Sequence, residues 1–310
     1  MTRIAFIGFG EVASVLCPAI AARGAQIAAY DILLERADGL ELLRARAAQT
    51  KVDFGSLAQA LQGARYVLST VTTSVARDVA RQSASILGAG QSYVDLNATD
   101  PEVKLEIERL IAPSGADFVE GAVLGAVGVT GAKTEILLGG PHARGAAREL
   151  ASDLGLSVRF YSETIGKASL FKMLRSVFSK GLEALLIEFL VAGERAGIRE
   201  DLWREVTELM AKHPFEKTAS NWVRSHATAH ARRYHEMKQV ANVLRQLGLE
   251  PVLTAATEAF FERSGSLGLG DRFAQAPATM EEVVRYFNEH LPAPSGGGAS
   301  GFEQKAEKEK

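Results

Sequence analysis

Arg3 to Ile7 (RIAFI) is a run of β-forming residues that meets Gly8-Phe9-Gly10 without a break. Glu11-Val12-Ala13 follows, then apolar residues at helical spacing through Val15, Leu16, Ile20 and Ala21, ending near Arg23-Gly24. A second strand-like run, Ala25 to Tyr30, closes on Asp31, 21 residues after Gly10. Strand, glycine turn, helix, strand and acid in that order leave few folds open. Gly8 permits the tight turn, and Gly10 lets the backbone approach a pyrophosphate with no Cβ in the way. The phosphates then meet the start of the helix, where free N–H groups and the dipole favour anions. Ala13 is the third small residue, for close helix–strand packing. Asp31 is spaced to accept hydrogen bonds from ribose hydroxyls and to repel a 2′-phosphate. The expectation is a dinucleotide site built on Gly8, Phe9, Gly10, Glu11, Val12 and Asp31. NAD is favoured over NADP, with Arg36 nearby weighing the other way.

The alternation continues. Arg65 to Val71 and Gln91 to Leu96 are strand candidates, each followed by a small polar loop. Ligands of parallel sheets bind beyond the carboxyl ends of the strands, so Val71, Thr72 and Asn97 are expected to line the cofactor. Ser74 and Asp100 read equally well as helix caps. Asp117 to Gly140 reads as strand, mobile glycine loop, strand, and Arg144 to Leu154 as a helix. Ser157 to Tyr161 is a last strand. Beyond it the strand signals stop. Arg199–Ala211, Thr218–Ser225, His230–Leu247, Val252–Arg263 and Met280–Asn288 read as helices, with a glycine-rich turn at Gly265–Gly270. The fold class is therefore α/β. An N-terminal Rossmann-type, doubly wound parallel sheet (1–164) precedes an all-α C-terminal domain (165–291). Residues 165–196 form the long connecting helix. Residues 292–310, with PAPSGGGASG and a charged end, read as a disordered tail.

In the connecting helix, Phe171, Leu174, Val177, Phe178, Leu182, Leu185, Leu186, Phe189 and Leu190 recur at three- and four-residue spacing. Lys172, Ser176, Ser179 and Glu183 share the opposite face. A stripe of this kind is commonly a solvated face. Between two domains it instead looks into a cleft, where Lys172 is a candidate proton-transfer group. A lysine must titrate well below its usual value of about 10.4 to act as a base near neutrality. Burial and a nearby guanidinium lower it, and Arg175, one turn on, is spaced to supply that charge or to hold a substrate anion.

Four motifs resemble the β-hydroxyacid dehydrogenase family, which contains 3-hydroxyisobutyrate and 6-phosphogluconate dehydrogenases. Gly8-Phe9-Gly10-Glu11-Val12-Ala13 is similar to its cofactor turn. Asp95-Leu96-Asn97-Ala98-Thr99-Asp100-Pro101 is similar to its Asp-x-Ser-Thr-x-x-Pro loop. Glu120 to Ala126 (EGAVLGA) is similar to its Asp-x-Pro-Val-Ser-Gly-Gly substrate loop, and Gly166 to Lys172 to its Gly-x-Gly-x-x-x-Lys segment. The resemblance spans about residues 3 to 290. It implies a catalytic Lys172 and substrate contacts from Val123, Leu124, Gly125, Arg175 and Ser176. Leu124 stands where the family has serine, Ser176 where it has asparagine, and Ala168 where it has a second glycine. These departures imply a substrate larger or less polar on one side. The function implied is NAD-dependent hydride transfer at the CH–OH or C=O carbon of a small hydroxyacid-like substrate. The alternatives are imine reduction on the same fold, oxidative decarboxylation of a phosphorylated sugar acid, and a non-catalytic NAD-binding sensor. Imine reductases lack the lysine, so Lys172 argues against the first.

The 310 residues carry a net charge of −2, which gives no general attraction to nucleic acid or to an anionic membrane. The start of the chain has no signal-peptide layout, so a cytoplasmic location is expected. The one cysteine, Cys17, allows no internal disulfide and reads as a buried apolar residue. His226 and His230 lie four apart but have no companion ligands at a convincing spacing, so no metal site is expected. The apolar face of the connecting helix exceeds what one small domain covers. A homodimer through the C-terminal helices is expected.

Overall fold

The computed structural model describes residues 2–292 except Gln49. The tail read as disordered therefore lies, from residue 293 on, outside the described residues. Among the described residues eight strands form one sheet: β1 (Arg3–Ile7), β2 (Gln26–Tyr30), β3 (Asp53–Phe54), β4 (Tyr66–Ser69), β5 (Ser92–Asp95), β6 (Asp117–Leu124), β7 (Glu135–Gly139) and β8 (Val158–Ser162). Their order is β3-β2-β1-β4-β5-β6-β7-β8. β1 pairs on both sides, Ile4 to Ile7 with Ile27 to Tyr30 and with Tyr66 to Ser69. The order reverses between β1 and β4, which opens a crevice at their carboxyl ends.

All pairs are parallel except β6 with β7. Residues 125–134, which join those two strands, are fewer than the dozen or more that a parallel crossover needs. The segment is not the mobile glycine loop expected from its composition. It folds as a short helix, α6 (Val127–Thr130), and a 3₁₀ turn (Gly131–Lys133). Val127 anchors it by entering the core.

Helices cover both faces of the sheet: α1 (Glu11–Ala21), α2 (Gly39–Ala47), α3 (Leu57–Leu61), α4 (Ala76–Ala84), α5 (Pro101–Ile111) and α7 (Ala143–Ser152). Successive β residues point to opposite sides. Ile4 and Phe6 thus join one core layer with Leu16, Ile20, Leu43 and Leu150. Ala5 and Ile7 join the other with Leu61, Ala80, Ile107 and Ile111. Cys17 is buried in the first layer, and burial pushes its thiol up to about 12.

The long helix, α8, spans Lys167–Ala196. The chain divides into two compact units between Ser179 and Lys180, inside this helix. Ala168 packs with Ala122 and Leu137, and Phe171 and Leu124 pack against them, so the first turns of α8 belong to the sheet unit.

In the second unit α8 is followed by α9 (Arg199–Lys212), α10 (Phe215–Gln246), α11 (Val252–Ser266), α12 (Leu269–Arg272) and α13 (Met280–His290). The two helices expected over 218–225 and 230–247 are one, since no glycine or proline separates them. Ala227, Leu269, Phe273 and Val283 form a small core. The Glu188 carboxylate accepts the N–H groups of Leu253 and Thr254 at 2.8 Å and so caps α11. His226 Nε2 lies 2.9 Å from Ser264 Oγ. Among the described residues, no helix is long and apolar enough to cross a membrane.

Candidate active site

Gly8 has φ +81°, and a Cβ there would sit 2.8 Å from the Thr70 carbonyl oxygen. Thr70 closes the turn from the neighbouring strand, donating its hydroxyl to the Gly8 carbonyl at 2.7 Å. The Phe9 ring is fully buried and edge-on to Phe6 and Phe54, so only its main chain belongs to the turn. Its N–H donates to Asp31 Oδ2 at 2.6 Å, and Asp31 Oδ1 accepts from Leu33 N–H at 2.9 Å. Arg46 donates to the Phe9 carbonyl at 3.2 Å. Arg36 is engaged elsewhere, making two 3.1 Å bonds to Asp38. Gly10 is the N-cap of α1 and supplies no side-chain cap to the leading N–H groups. A Cβ on Gly10 would meet nothing within 4 Å.

Beyond these strand ends lies a cavity of about 300 Å³, lined entirely by the first unit. Glu11 and Val12 come from α1. Thr70 and Val71 follow β4, and Leu96, Asn97 and Ala98 follow β5. Val123, Gly125, Ala126 and Val127 come from the end of β6 and from α6, and Lys172 comes from α8. The wall is mostly apolar, and its polar groups converge from four elements.

Asn97 is held from behind. Its Nδ2 donates to Ser69 Oγ at 2.9 Å and to Asp95 Oδ1 at 2.5 Å, and its N–H donates to Asp95 Oδ1 at 3.1 Å. Asp95 in turn accepts from Lys104 Nζ at 3.0 Å, and both side chains are fully buried. Lys104 also donates to the Asn97 carbonyl at 2.8 Å. A buried pair of this kind costs about 3–5 kcal/mol to break by deleting one partner, because the other charge is stranded. With its amide so fixed, Asn97 Oδ1 is a buried acceptor without a partner.

The start of α8 is held in the same way. Glu120, fully buried on β6, accepts the N–H groups of Gly166, Ala168 (2.6 Å) and Ser169 (3.1 Å). Burial raises its carboxyl above the usual range, while those donors and Lys104 act in the other direction. Lys172, half-buried, follows on the second turn and reaches the cavity wall.

Of the residues singled out from sequence, Glu11, Val12, Val71, Asn97, Val123, Gly125 and Lys172 meet around this one cavity. Gly8, Phe9, Gly10 and Asp31 form the turn. Thr72 is exposed, 3.3 Å from Ser74 Oγ. Leu124 does not line the cavity, because alternation along β6 turns it into the cluster with Ala122 and Leu137. Arg175 is exposed and absent from the lining, three residues and so about 60° round the helix from Lys172. The Ser176 hydroxyl donates to the Lys172 carbonyl at 3.0 Å, not to its amine. Sequence reasoning passed over Thr70, Arg46, Lys104 and the cap made by Glu120. Lys104 carried a signal. With Ile107 and Ile111 it shares the apolar face of α5, where a lysine is out of place.

The residues present fit a dinucleotide. The uncapped start of α1 and the open space at Gly10 suit a pyrophosphate, and Asn97 Oδ1 offers a buried acceptor to an amide donor. The comparisons agree. Residues 3–153 match the NAD binding domain of 6-phosphogluconate dehydrogenase, and residues 194–264 match a domain of unknown function, DUF1932. One solved structure, a conserved protein of unknown function described as structurally similar to 3-hydroxyacid dehydrogenases, is 31% identical. That match covers 89% of this chain and all of the other, with TM-score 0.56. Glyoxylate/succinic semialdehyde reductase 1 of Arabidopsis thaliana is 24% identical over 87% of this chain and 94% of its own. An imine reductase from Myxococcus stipitatus, solved with NADP+, shares the fold at TM-score 0.72 and 15% identity, covering 92% of this chain and 99% of its own. By its sheet, its glycine turn and these relatives, the chain belongs to the 3-hydroxyacid dehydrogenase-like family of NAD-binding dehydrogenases and reductases.

Proposed function

We propose that this protein is an NAD-dependent oxidoreductase acting at the CH–OH or C=O carbon of a small hydroxyacid-like substrate, with Lys172 as general acid and base. One observation carries the reading: Lys172 and Asn97 line the same cavity at the point where the strand order reverses. When bound, the nicotinamide supplies or accepts the hydride. The chain's own groups handle the proton. In oxidation a neutral Lys172 amine takes the hydroxyl proton, and in reduction its ammonium donates to the carbonyl oxygen. Val12, Leu96, Val123 and Val127 keep water from the reacting atoms. Glu11, Val12, Val71 and Asn97 are the cofactor contacts, and Val123 and Gly125 flank the substrate. Asp31 would accept from the ribose hydroxyls and favours NAD, and the pairing of Arg36 with Asp38 supports this because it engages that guanidinium.

The test is Lys172→Met, assayed with glyoxylate, succinic semialdehyde and a panel of C3–C8 hydroxyacids. Turnover should fall at least 10²-fold. NADH affinity by fluorescence titration should stay within twofold and exceed NADPH affinity about tenfold. Near-normal turnover of the variant would reject Lys172. The mostly apolar wall also suits an imine, so imine reduction is the second reading, with Lys172 standing against it. Cyclic imines turned over in preference to every hydroxyacid would favour it.

The chain is further proposed to act as a homodimer. Leu174, Val177 and Phe178 of α8 are more than half exposed, and Leu182 and Leu185 follow on the same side of the helix. A second copy of the same face is the occupant that fits.

A further inference from the structure

We propose that Glu120 is a positioning residue for Lys172: it seats the first turn of α8 on β6 and so sets how far the Lys172 amine reaches into the cavity. The proposal rests on the reading of Lys172 as the proton-transfer group.

Glu120 bridges two elements that both build the cavity. It lies on β6 three residues before Val123, which is in the cavity wall. The N–H groups it accepts begin six residues before Lys172. Both oxygens are used: Oε2 takes Gly166, and Oε1 takes Ala168 and Ser169. A carboxylate held at both ends, with no exposure, has no rotational slack. The three donors are helix N–H groups that otherwise lack a partner in the helix.

The surroundings make room for this side chain. Gly139 of β7 faces Glu120 across the antiparallel ladder. A Cβ there would lie 2.8 Å from Glu120 Oε1 and 2.9 Å from its Cγ. Gly166 has φ +93°, a conformation L side chains rarely adopt, which turns its N–H toward the carboxylate. Lys104 Nζ, 3.4 Å from the Gly121 carbonyl, places a buried cation beside the same strand. The group that fixes Asn97 and the group that fixes α8 are thus neighbours. A helix held at its first turn carries its next turn rigidly, so a shift at Glu120 is passed to Lys172. Displacing a catalytic group by about 1 Å costs on the order of 10²-fold in rate.

Three variants disturb the seat differently. Glu120→Asp withdraws the carboxylate by one carbon, about 1.5 Å. Glu120→Gln replaces one accepting oxygen with an NH₂ that confronts N–H donors. Gly139→Ala leaves Glu120 intact and crowds it from β7. Each is compared with wild type and Lys172→Ala, using glyoxylate and succinic semialdehyde with NADH. Backbone amide exchange over residues 166–169 is measured alongside. The expected result is a 10- to 100-fold fall in kcat, with KM and NADH affinity within threefold and amide exchange at least tenfold faster. Normal kcat alongside faster exchange overturns the proposal. So do unchanged exchange in Glu120→Gln and a parallel loss of NADH affinity, which marks general destabilisation. If the wild type turns over neither aldehyde, the readout is acetylation of Lys172 by acetic anhydride relative to Lys180. A change above threefold in Glu120→Asp supports the seat, and an unchanged ratio overturns it. Normal turnover by Lys172→Ala strikes down the reading of Lys172 itself. An inactive Lys172→Ala beside fully active Glu120 variants strikes down only the present proposal.

Discussion

His226 shows how far one side chain departs from its solution behaviour when the fold surrounds it. It is buried among Phe260, Phe261 and Phe287 with Nε2 on Ser264 Oγ. Burial lowers its pKa from 6.5 to about 4, and His230 and Arg233 add to the effect. The unfolded chain therefore binds a proton between pH 6.5 and 4 that the folded chain refuses. The stabilisation is complete above pH 6.5 and is lost as pH falls toward 4. It amounts to at most about 3 kcal/mol. The thermal midpoint of wild type minus that of His226→Phe should fall over that window. A difference that stays flat between pH 7 and pH 4.5 would show that His226 is not held neutral.

At the scale of elements, carboxylates fasten helix starts in both units. Glu120 does so for α8, and Glu188, itself on α8, does so for α11. Glu188 is only partly buried. Burial raises its carboxyl, but the Thr254 hydroxyl and the N–H groups of Leu253 and Thr254 outweigh this and lower it. Removing an N-terminal cap costs about 0.5–2 kcal/mol. Glu188→Ala should accordingly lower the thermal midpoint by a few degrees and speed amide exchange at Leu253 and Thr254. NADH affinity should be unaffected, because the Glu188 contacts lie in the second unit and the cofactor turn in the first. A variant as stable as wild type would remove the cap from the account of α11. The start of α1 is the contrast, since no side chain caps it. That is the helix whose leading N–H groups the proposed cofactor needs.

For the whole molecule, α8 poses a question of solvation. Val177 is 74% exposed, Leu174 62% and Phe178 56%, and Leu182 and Leu185 are exposed as well. A contiguous apolar stripe of this kind marks an interface. The proposed homodimer, closed by twofold symmetry, would bury it on both copies at once. Light scattering should give twice the chain mass. The double variant Leu182→Glu with Leu185→Glu should shift the population to monomer or leave the chain poorly soluble. Wild type that runs as a monomer at micromolar concentration would refute this assembly.

Local signals carried much of the design. Strand and helix periodicities are properties of a few consecutive residues, so the alternating N-terminal half and the glycine turn were legible from the chain alone. The acid at Asp31 and the helical second half were legible for the same reason. Lys172 could be singled out because a helix repeats its faces at known angles, but which part of that face meets a cavity is not a local property. Only the packing of α8 on β6 decides that Lys172 reaches the wall while Arg175 lies outside it. Only strand alternation in the folded sheet turns Leu124 toward Ala122 and Leu137 and puts Val123 in the cavity wall. The buried partners Asp95 with Lys104, and Glu120 with the start of α8, lie far apart in sequence or on faces that read as apolar. Their charges are tolerable only because distant donors and acceptors close around them, and that closure exists in three dimensions alone.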